Sequence, residues 1–304
     1  MKANYSERLE IDVLEEPQLD FKYYINQTLK KNEEKPKKNE TLNVLSLFSG
    51  CGGMDLGFEG GFSVLKSSVN EKLTPNFIDK KLNNGFVQLK KTKFKTVFAN
   101  DILSDARNAW VNHFMKKGRQ ADLFYTQSIV DLVKLHQSGV DVFPKNIDIV
   151  TGGFPCQDFS IAGKRNGFNS HKNHNGKLID EVTPTEETRG QLYMWMKQVI
   201  EITKPKIFIA ENVKGLVNLE NVKEIIQNDF SSAGENGYIV LNPKVLHSAN
   251  YGVPQSRERV IFIGIKKSEL TKSALEELEK ELISDEYNPY PKPTHSYTAK
   301  GESL

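Results

Sequence analysis

Cysteine is scarce in this sequence: its 304 residues hold two, Cys51 and Cys156. Two thiols build no disulfide framework, and neither has a second cysteine at Cys-x-x-Cys spacing for a metal site. A reducing compartment fits best. Long apolar runs are absent as well. No stretch reaches the roughly 18 apolar residues that a membrane span requires, and the start, Met1-Lys2-Ala3-Asn4-Tyr5, has no apolar core of signal-peptide length. The expectation is a cytoplasmic protein with no membrane partner. Net charge is small too, with 41 Lys and Arg against 39 Asp and Glu, leaving +2. A global basic field is thereby excluded, so any nucleic-acid binding rests on local patches or a partner.

What is present suits a globular fold. The composition, 38% hydrophobic and 26% charged, is that of a soluble domain, and the length supports one large core or two small ones. Residues 1–40 are polar and end in a Lys/Glu/Asn run, which reads as a solvated arm. From Leu42 the pattern becomes strand, glycine turn, helix. Further apolar runs at Thr96–Ala99, Ile147–Thr151 and Ile207–Ala210 read as buried strands, with helix-compatible stretches at Ile102–Lys116 and Gln191–Thr203 between them. Two later runs, Tyr238–Leu246 and Val260–Ile265, read as paired strands around a Pro-containing loop. Strands alternating with helices predict an α/β fold, a mostly parallel sheet with helices on both faces. Residues 41–267 form the expected domain. Residues 63–95, rich in Lys and Asn, read as an insertion within it, because they delay the second strand beyond the usual short connection. Residues 268–304 read as a helix followed by a polar tail.

Four segments at strand ends carry residues able to do chemistry. Phe48-Ser49-Gly50-Cys51-Gly52-Gly53 follows a strand and opens a helix, which suits a nucleotide-like cofactor or an ordinary tight turn. Asp101, at the next strand end, could accept bonds from ribose hydroxyls or cap the following helix. In Thr151-Gly152-Gly153-Phe154-Pro155-Cys156-Gln157, Cys156 is either a nucleophile or a small buried hydrophobe. Glu211, leaving an apolar strand, would be partly desolvated and able to hold a proton near neutral pH, or would merely end a turn. Arg257 and Arg259 alternate into a strand, which puts both guanidinium groups on one side of it. His171 and His174 have no companions that would complete a zinc set, so no metal is expected.

Taken in order, these segments resemble the cytosine-C5 DNA methyltransferases. Phe48 to Gly53 resembles that family's cofactor motif, Pro155-Cys156-Gln157 its Pro-Cys-Gln motif, Glu211-Asn212-Val213 its Glu-Asn-Val motif, and Gln255, Arg257 and Arg259 its Gln-x-Arg-x-Arg motif. Arg189-Gly190-Gln191-Leu192 is similar to the helix start after the catalytic loop. The resemblance covers roughly residues 42–266 and implies a Rossmann-like, S-adenosylmethionine-dependent methyltransferase fold. It implies S-adenosylmethionine as cofactor, held by Phe48, Gly50, Gly52, Gly53, Asp101, Ile102 and Pro155. Ser128-Ile129 stands where the family often has Asp-Ile at the adenine. It also implies a mechanism in which the Cys156 thiolate attacks carbon 6 of a cytosine flipped out of double-stranded DNA, with Glu211 at ring nitrogen 3 and Arg259 at O2. Carbon 5 then takes the methyl group, and loss of its proton expels Cys156. Gln157, Ser160, Lys164, Arg165 and Gln255 are implied to lie at the DNA-closing loop and its surroundings.

The family's target-recognition region and closing Gly-Asn-x-Val-Pro segment have no match, although Tyr290-Pro291-Lys292-Pro293-Thr294 resembles the linker that introduces that region. The expectation is a second subunit that supplies recognition, in a restriction-modification setting with a cognate restriction endonuclease as a further partner. The alternative is a truncated product or an inactive cofactor-binding scaffold of a methyltransferase complex. A small-molecule methyltransferase would need the glycine motif but not the other three.

Overall fold

A computed structural model describes residues 41–115, 121–155, 192–218, 221–235 and 237–295. Its centre is an eight-stranded sheet. Five strands are parallel: β1 (Leu42–Leu47), β5 (Phe94–Asn100), β6 (Phe124–Tyr125), β7 (Ile149–Gly152) and β8 (Ile207–Val213). They lie in the order β6-β5-β1-β7-β8, so the chain reverses its direction of travel across the sheet between β1 and β7. Such a reversal leaves a crevice outside the carboxyl ends of the two central strands, where open α/β sheets bind ligands. The Rossmann-like architecture expected from the sequence is therefore present.

Beyond β8 the sheet turns antiparallel. The long strand β11 (Glu258–Lys266) pairs with β8 on one side, while β9 (Tyr238–Val240) and β10 (Lys244–His247) share its other side. The run at Tyr238–Leu246, read from the sequence as one strand, is thus two. Asn242-Pro243 separates them, as expected where proline removes a ladder donor. The helix expected over 268–283 is shorter, Lys272–Leu278, with the Thr271 hydroxyl as its N-cap.

Of the helices, α1 (Gly53–Glu59) follows β1, α2 (Ser104–Met115) follows β5 and α3 (Ile129–Gln137) follows β6. Next come α4 (Leu192–Thr203), before β8, α5 (Val222–Ser231), after it, and α6 (Lys272–Leu278). The main core joins α3, α4 and α5 to one sheet face through side chains such as Val130, Met196, Ile226, Phe208 and Phe262. A second cluster covers the other face of the antiparallel edge, with Ile239, Ile263, Leu278 and Tyr290 packed on Ile207 and Ile209. Both faces of β8 are therefore used: Phe208, Ala210 and Asn212 point into the main core, and the alternate positions point away from it. No helix among the described residues is long and apolar enough to cross a membrane.

Residues 63–89 form their own antiparallel sheet, in the order β2 (Ser63–Leu65), β4 (Phe86–Leu89), β3 (Ile78–Lys81). The N-terminal arm expected over 1–40 and the polar tail from 296 onward lie outside the described residues.

Candidate active site

The glycine turn after β1 is fixed from below and from the side. Gly52 is the N-cap of α1 in a left-handed conformation, φ 85°. A Cβ there would lie 2.6 Å from Trp110 Cδ1 and 2.7 Å from the Phe114 ring, so only glycine lets the turn settle on α2. Trp110 is itself held by its indole N–H, which donates to Asp55 Oδ2 at 2.7 Å in a fully buried contact. From the side, Asp101 accepts the Gly50 amide at Oδ2 and the Leu103 amide at Oδ1, both at 3.0 Å. One carboxylate thus ties the β1 turn to the β5 turn. Asn100 extends the tie, its side-chain amide donating to the Tyr125 and Gln127 carbonyls at 2.9 and 2.8 Å.

These three strand ends, with the end of β7, enclose a cavity of about 240 Å³. Phe48, Asp101, Ile102, Ser128, Ile129 and Pro155 line it, joined by Asn100, Leu103, Gly153 and Leu192. The sequence reading had not placed Asn100, Leu103 or Gly153 among the contacts, although each adjoins a residue it had. Leu192 is the last residue of the Arg189-Gly190-Gln191-Leu192 segment, and no contact role was given to it. Gly50, Gly52 and Gly53 shape the turn but do not line the cavity. The Ser128 hydroxyl accepts the Val130 amide at 3.3 Å and so caps α3. Leu103 is 60% exposed, an apolar side chain left open on the cavity wall.

The donor set suits a cofactor with one flat apolar part and one sugar. Phe48, Ile102, Leu103 and Ile129 offer apolar surface to a ring. Asp101, anchored by two amides, has further lone pairs for hydroxyl groups.

A second constellation lies at the β8 and β11 ends. Because β11 runs antiparallel to β8, its first residues meet the last residues of β8, and Arg259 stands opposite Val213. Arg259 Nε lies 2.7 Å from Glu211 Oε1, and Arg257 Nη2 reaches the same oxygen at 3.5 Å. Both arginines therefore share a side, as their alternation predicts. The other oxygen, Oε2, faces the β7 turn and would lie 3.1 Å from a Cβ on Gly153. On the opposite face of β8, the buried Asn212 side chain donates to the Phe154 carbonyl at 3.3 Å. The loop that reaches Pro155 is thus held by one neighbour of the β8 end and abutted by the other. Gln255 is exposed in the turn before β11, where its carbonyl accepts the Ser248 hydroxyl at 2.6 Å. Cys156, Gln157, Ser160, Lys164 and Arg165 lie outside the described residues.

The family model "C-5 cytosine-specific DNA methylase" matches residues 42–300. The chain is 35% identical over 263 residues to the Type II methyltransferase M.BsuRI of Bacillus subtilis, a match covering 85% of this chain and 48% of that protein. It is 34% identical over 239 residues to M.BspRI of Lysinibacillus sphaericus, covering 77% of this chain and 47% of that protein. To M.AquIA of a Picosynechococcus strain it is 31% identical over 228 residues, covering 73% and 71%. The chain therefore spans about half the length of the first two relatives. With a family model running from β1 past β11, through the cavity and both arginines, the chain belongs to the C-5 cytosine-specific DNA methylase family.

Proposed function

We propose that this chain catalyses methyl transfer from S-adenosylmethionine to carbon 5 of a cytosine flipped out of double-stranded DNA. The observation that carries the reading is the shared β7 turn: Gly153 and Pro155 line the cavity, and Gly153 also abuts the Glu211 carboxyl group that Arg259 engages. A cofactor site and an acid–guanidinium pair thus flank the residue that precedes Cys156.

In this reading S-adenosylmethionine supplies an electrophilic methyl group. Phe48, Ile102, Leu103 and Ile129 would embrace its adenine, Asp101 would accept its ribose hydroxyls, and Pro155 would border its sulfonium. Gly50, Gly52 and Gly53 would let the backbone come close, and Ser128 would border the adenine. Cys156, as thiolate, forms a bond to carbon 6 of the base. Charge pushed onto the ring is met by Glu211 at nitrogen 3 and Arg259 at O2, with Arg257 behind them. Because Oε1 is taken by the arginines, Oε2 would be the oxygen that meets the base. Carbon 5 would take the methyl group, leaving S-adenosylhomocysteine, and then lose its proton to solvent water as the carbon 6–sulfur bond breaks and returns its electron pair to the Cys156 thiolate. Electrostatic groups fixed in advance lower the barrier without reorganising during the reaction.

Gln157, Ser160, Lys164, Arg165 and Gln255 are proposed to contact the DNA around the flipped base. A second polypeptide that reads the target sequence belongs to the same proposal, as does a cognate endonuclease. The match to M.AquIA over 71% of its length supports a short catalytic chain as a working arrangement. Duplexes carrying 5-fluorocytosine test the chemistry, because fluorine blocks the elimination step. The expected result is a mass-stable adduct on Cys156 in the presence of cofactor and the recognition polypeptide. Absence of the adduct under those conditions would leave an inactive cofactor-binding scaffold.

A further inference from the structure

The segment 63–95 contains eight lysines against two acids, Glu71 and Asp79, in a chain whose net charge is +2. It carries six surplus positive charges, so the rest of the sequence is net negative. All eight lysines are exposed. Among the described residues only Lys66 has an ion-pair partner, Glu71 at 3.5 Å. A solvated face kept for solubility would mix the signs, and this one does not.

Exposed apolar side chains stand among these charges. In the small sheet Leu65 is opposite Phe86 and Lys80 is opposite Gln88, which places Leu65, Phe86 and Lys80 on one face. Leu65 is 46% exposed, Phe86 42% and neighbouring Phe77 58%. Apolar surface left open within a charged patch marks an interaction surface.

The insert is also joined to the catalytic side of the molecule. The Asn70 side-chain amide donates to the Thr294 carbonyl at 2.8 Å, and a His295 ring nitrogen lies 3.3 Å from the Ser67 carbonyl. Gly252 packs so tightly on Ser68 that a Cβ there would meet its carbonyl oxygen at 2.2 Å. Gly252 belongs to the turn that leads into Arg257 and Arg259. Lys80, in this sheet, and Lys72, in the loop that enters it, therefore belong to an insert braced against the turn that delivers the arginines.

We propose that this insert is a second DNA-contacting surface, whose Lys72 and Lys80 bind backbone phosphates of the duplex flanking the target base. The inference rests on DNA being the substrate, as proposed above. Such contacts carry no sequence information. They set register and orientation, and they add affinity through counterion release.

The test is the salt dependence of binding of the 304-residue chain to a duplex of arbitrary sequence. The plot of log Kd against log salt for the double variant Lys72→Gln, Lys80→Gln is compared with that of the unaltered chain. The expected result is a slope smaller by about 2, since each lost phosphate contact removes roughly 0.9. A control pair, Lys267→Gln, Lys272→Gln, removes the same charge beyond the far end of β11 and is expected to leave the slope unchanged. Equal slopes for the insert variant and the unaltered chain would overturn the proposal and leave an acidic protein as the occupant of the patch. An equal drop in the control variant would overturn it too, as would failure of the unaltered chain to bind duplex. A missing Cys156 adduct bears on the chemistry alone, so the two readings fail separately.

Discussion

Arg259 and Glu211 meet through a single oxygen: Nε of the arginine is 2.7 Å from Oε1, while Oε2 of the same carboxyl group faces Gly153. The pair divides the work of the carboxyl group, with one oxygen fixing its position and the other left toward the crevice. Removing either partner therefore disturbs both.

Arg259→Ala and Glu211→Gln are each expected to slow methyl transfer by about 10²–10³-fold, the loss typical of one fixed electrostatic group. Affinity for S-adenosylmethionine, read by calorimetry, should not change, because neither side chain lines the cofactor cavity. The double variant should lose less than the two single losses multiplied together, since each side chain also positions the other. Additive losses would show that the two residues serve separate steps.

Asn212 holds the Phe154 carbonyl from inside the core, with 1% of its own surface exposed. Asn212→Ala leaves that carbonyl without this donor, at a cost of about 1–3 kcal/mol in unfolding free energy. The rate of 5-fluorocytosine adduct formation should fall further than this stability loss explains, because the loop reaching Pro155 loses its anchor. An adduct rate equal to that of the unaltered chain would remove Asn212 from the positioning scheme.

Gly52→Ala combines a left-handed backbone with a Cβ driven into Trp110. Thermal unfolding should show a loss of about 2–4 kcal/mol, the sum of backbone strain and overpacking, and cofactor affinity should drop. Gly50→Ala has the milder cost of φ 53° alone, because its Cβ meets nothing within 4 Å. Equal effects at the two positions would contradict the tight seat of the turn on α2.

Alkaline titration reads the packing of three phenols. Burial pushes the hydroxyl pKa values of Tyr193, Tyr238 and Tyr290 upward, aided at Tyr193 by its hydrogen bond to Asp229 and at Tyr238 by the Glu269 charge. A raised folded-state value contributes stability that is complete below the unfolded value near 10.0 and is lost as pH climbs toward the folded one. Phenolate absorbance of the native protein at pH about 11 should thus fall short of the full ten tyrosines by at least three. The remainder should appear together with the loss of circular dichroism. Reversible ionisation of all ten without unfolding would refute the burial.

Four of the five parallel strands were legible because each carries a mostly apolar run that is largely buried, as Val44 to Leu47 and Phe208 to Ala210 show, whereas the two-residue β6 was not. The small insert sheet was not. Its strands are three or four residues of mixed character around Val87, the one fully buried side chain among them, and lysine and asparagine conceal the alternation. Among the candidate site residues, spacing could place Arg257 and Arg259 on one side, because period-two alternation is local. That they should reach Glu211 depends on antiparallel pairing across 46 residues of chain, which no local pattern specifies. The N-capping role of Ser128 was equally hidden, since a serine that caps and a serine that touches a ligand look alike in sequence.

The antiparallel entry of β11 has an evolutionary corollary. Because Arg259 meets Glu211 only when Ile261 stands opposite that glutamate, the arrangement is written in ladder phase rather than in loop shape. Gaining or losing one residue inside Val260–Ile265 would turn every alternate side chain over and send the guanidinium into the core. The same change in the turn at 248–257 shifts nothing in the ladder. Length variation among related proteins should therefore accumulate on the loop side of Glu258 and stop abruptly at the strand.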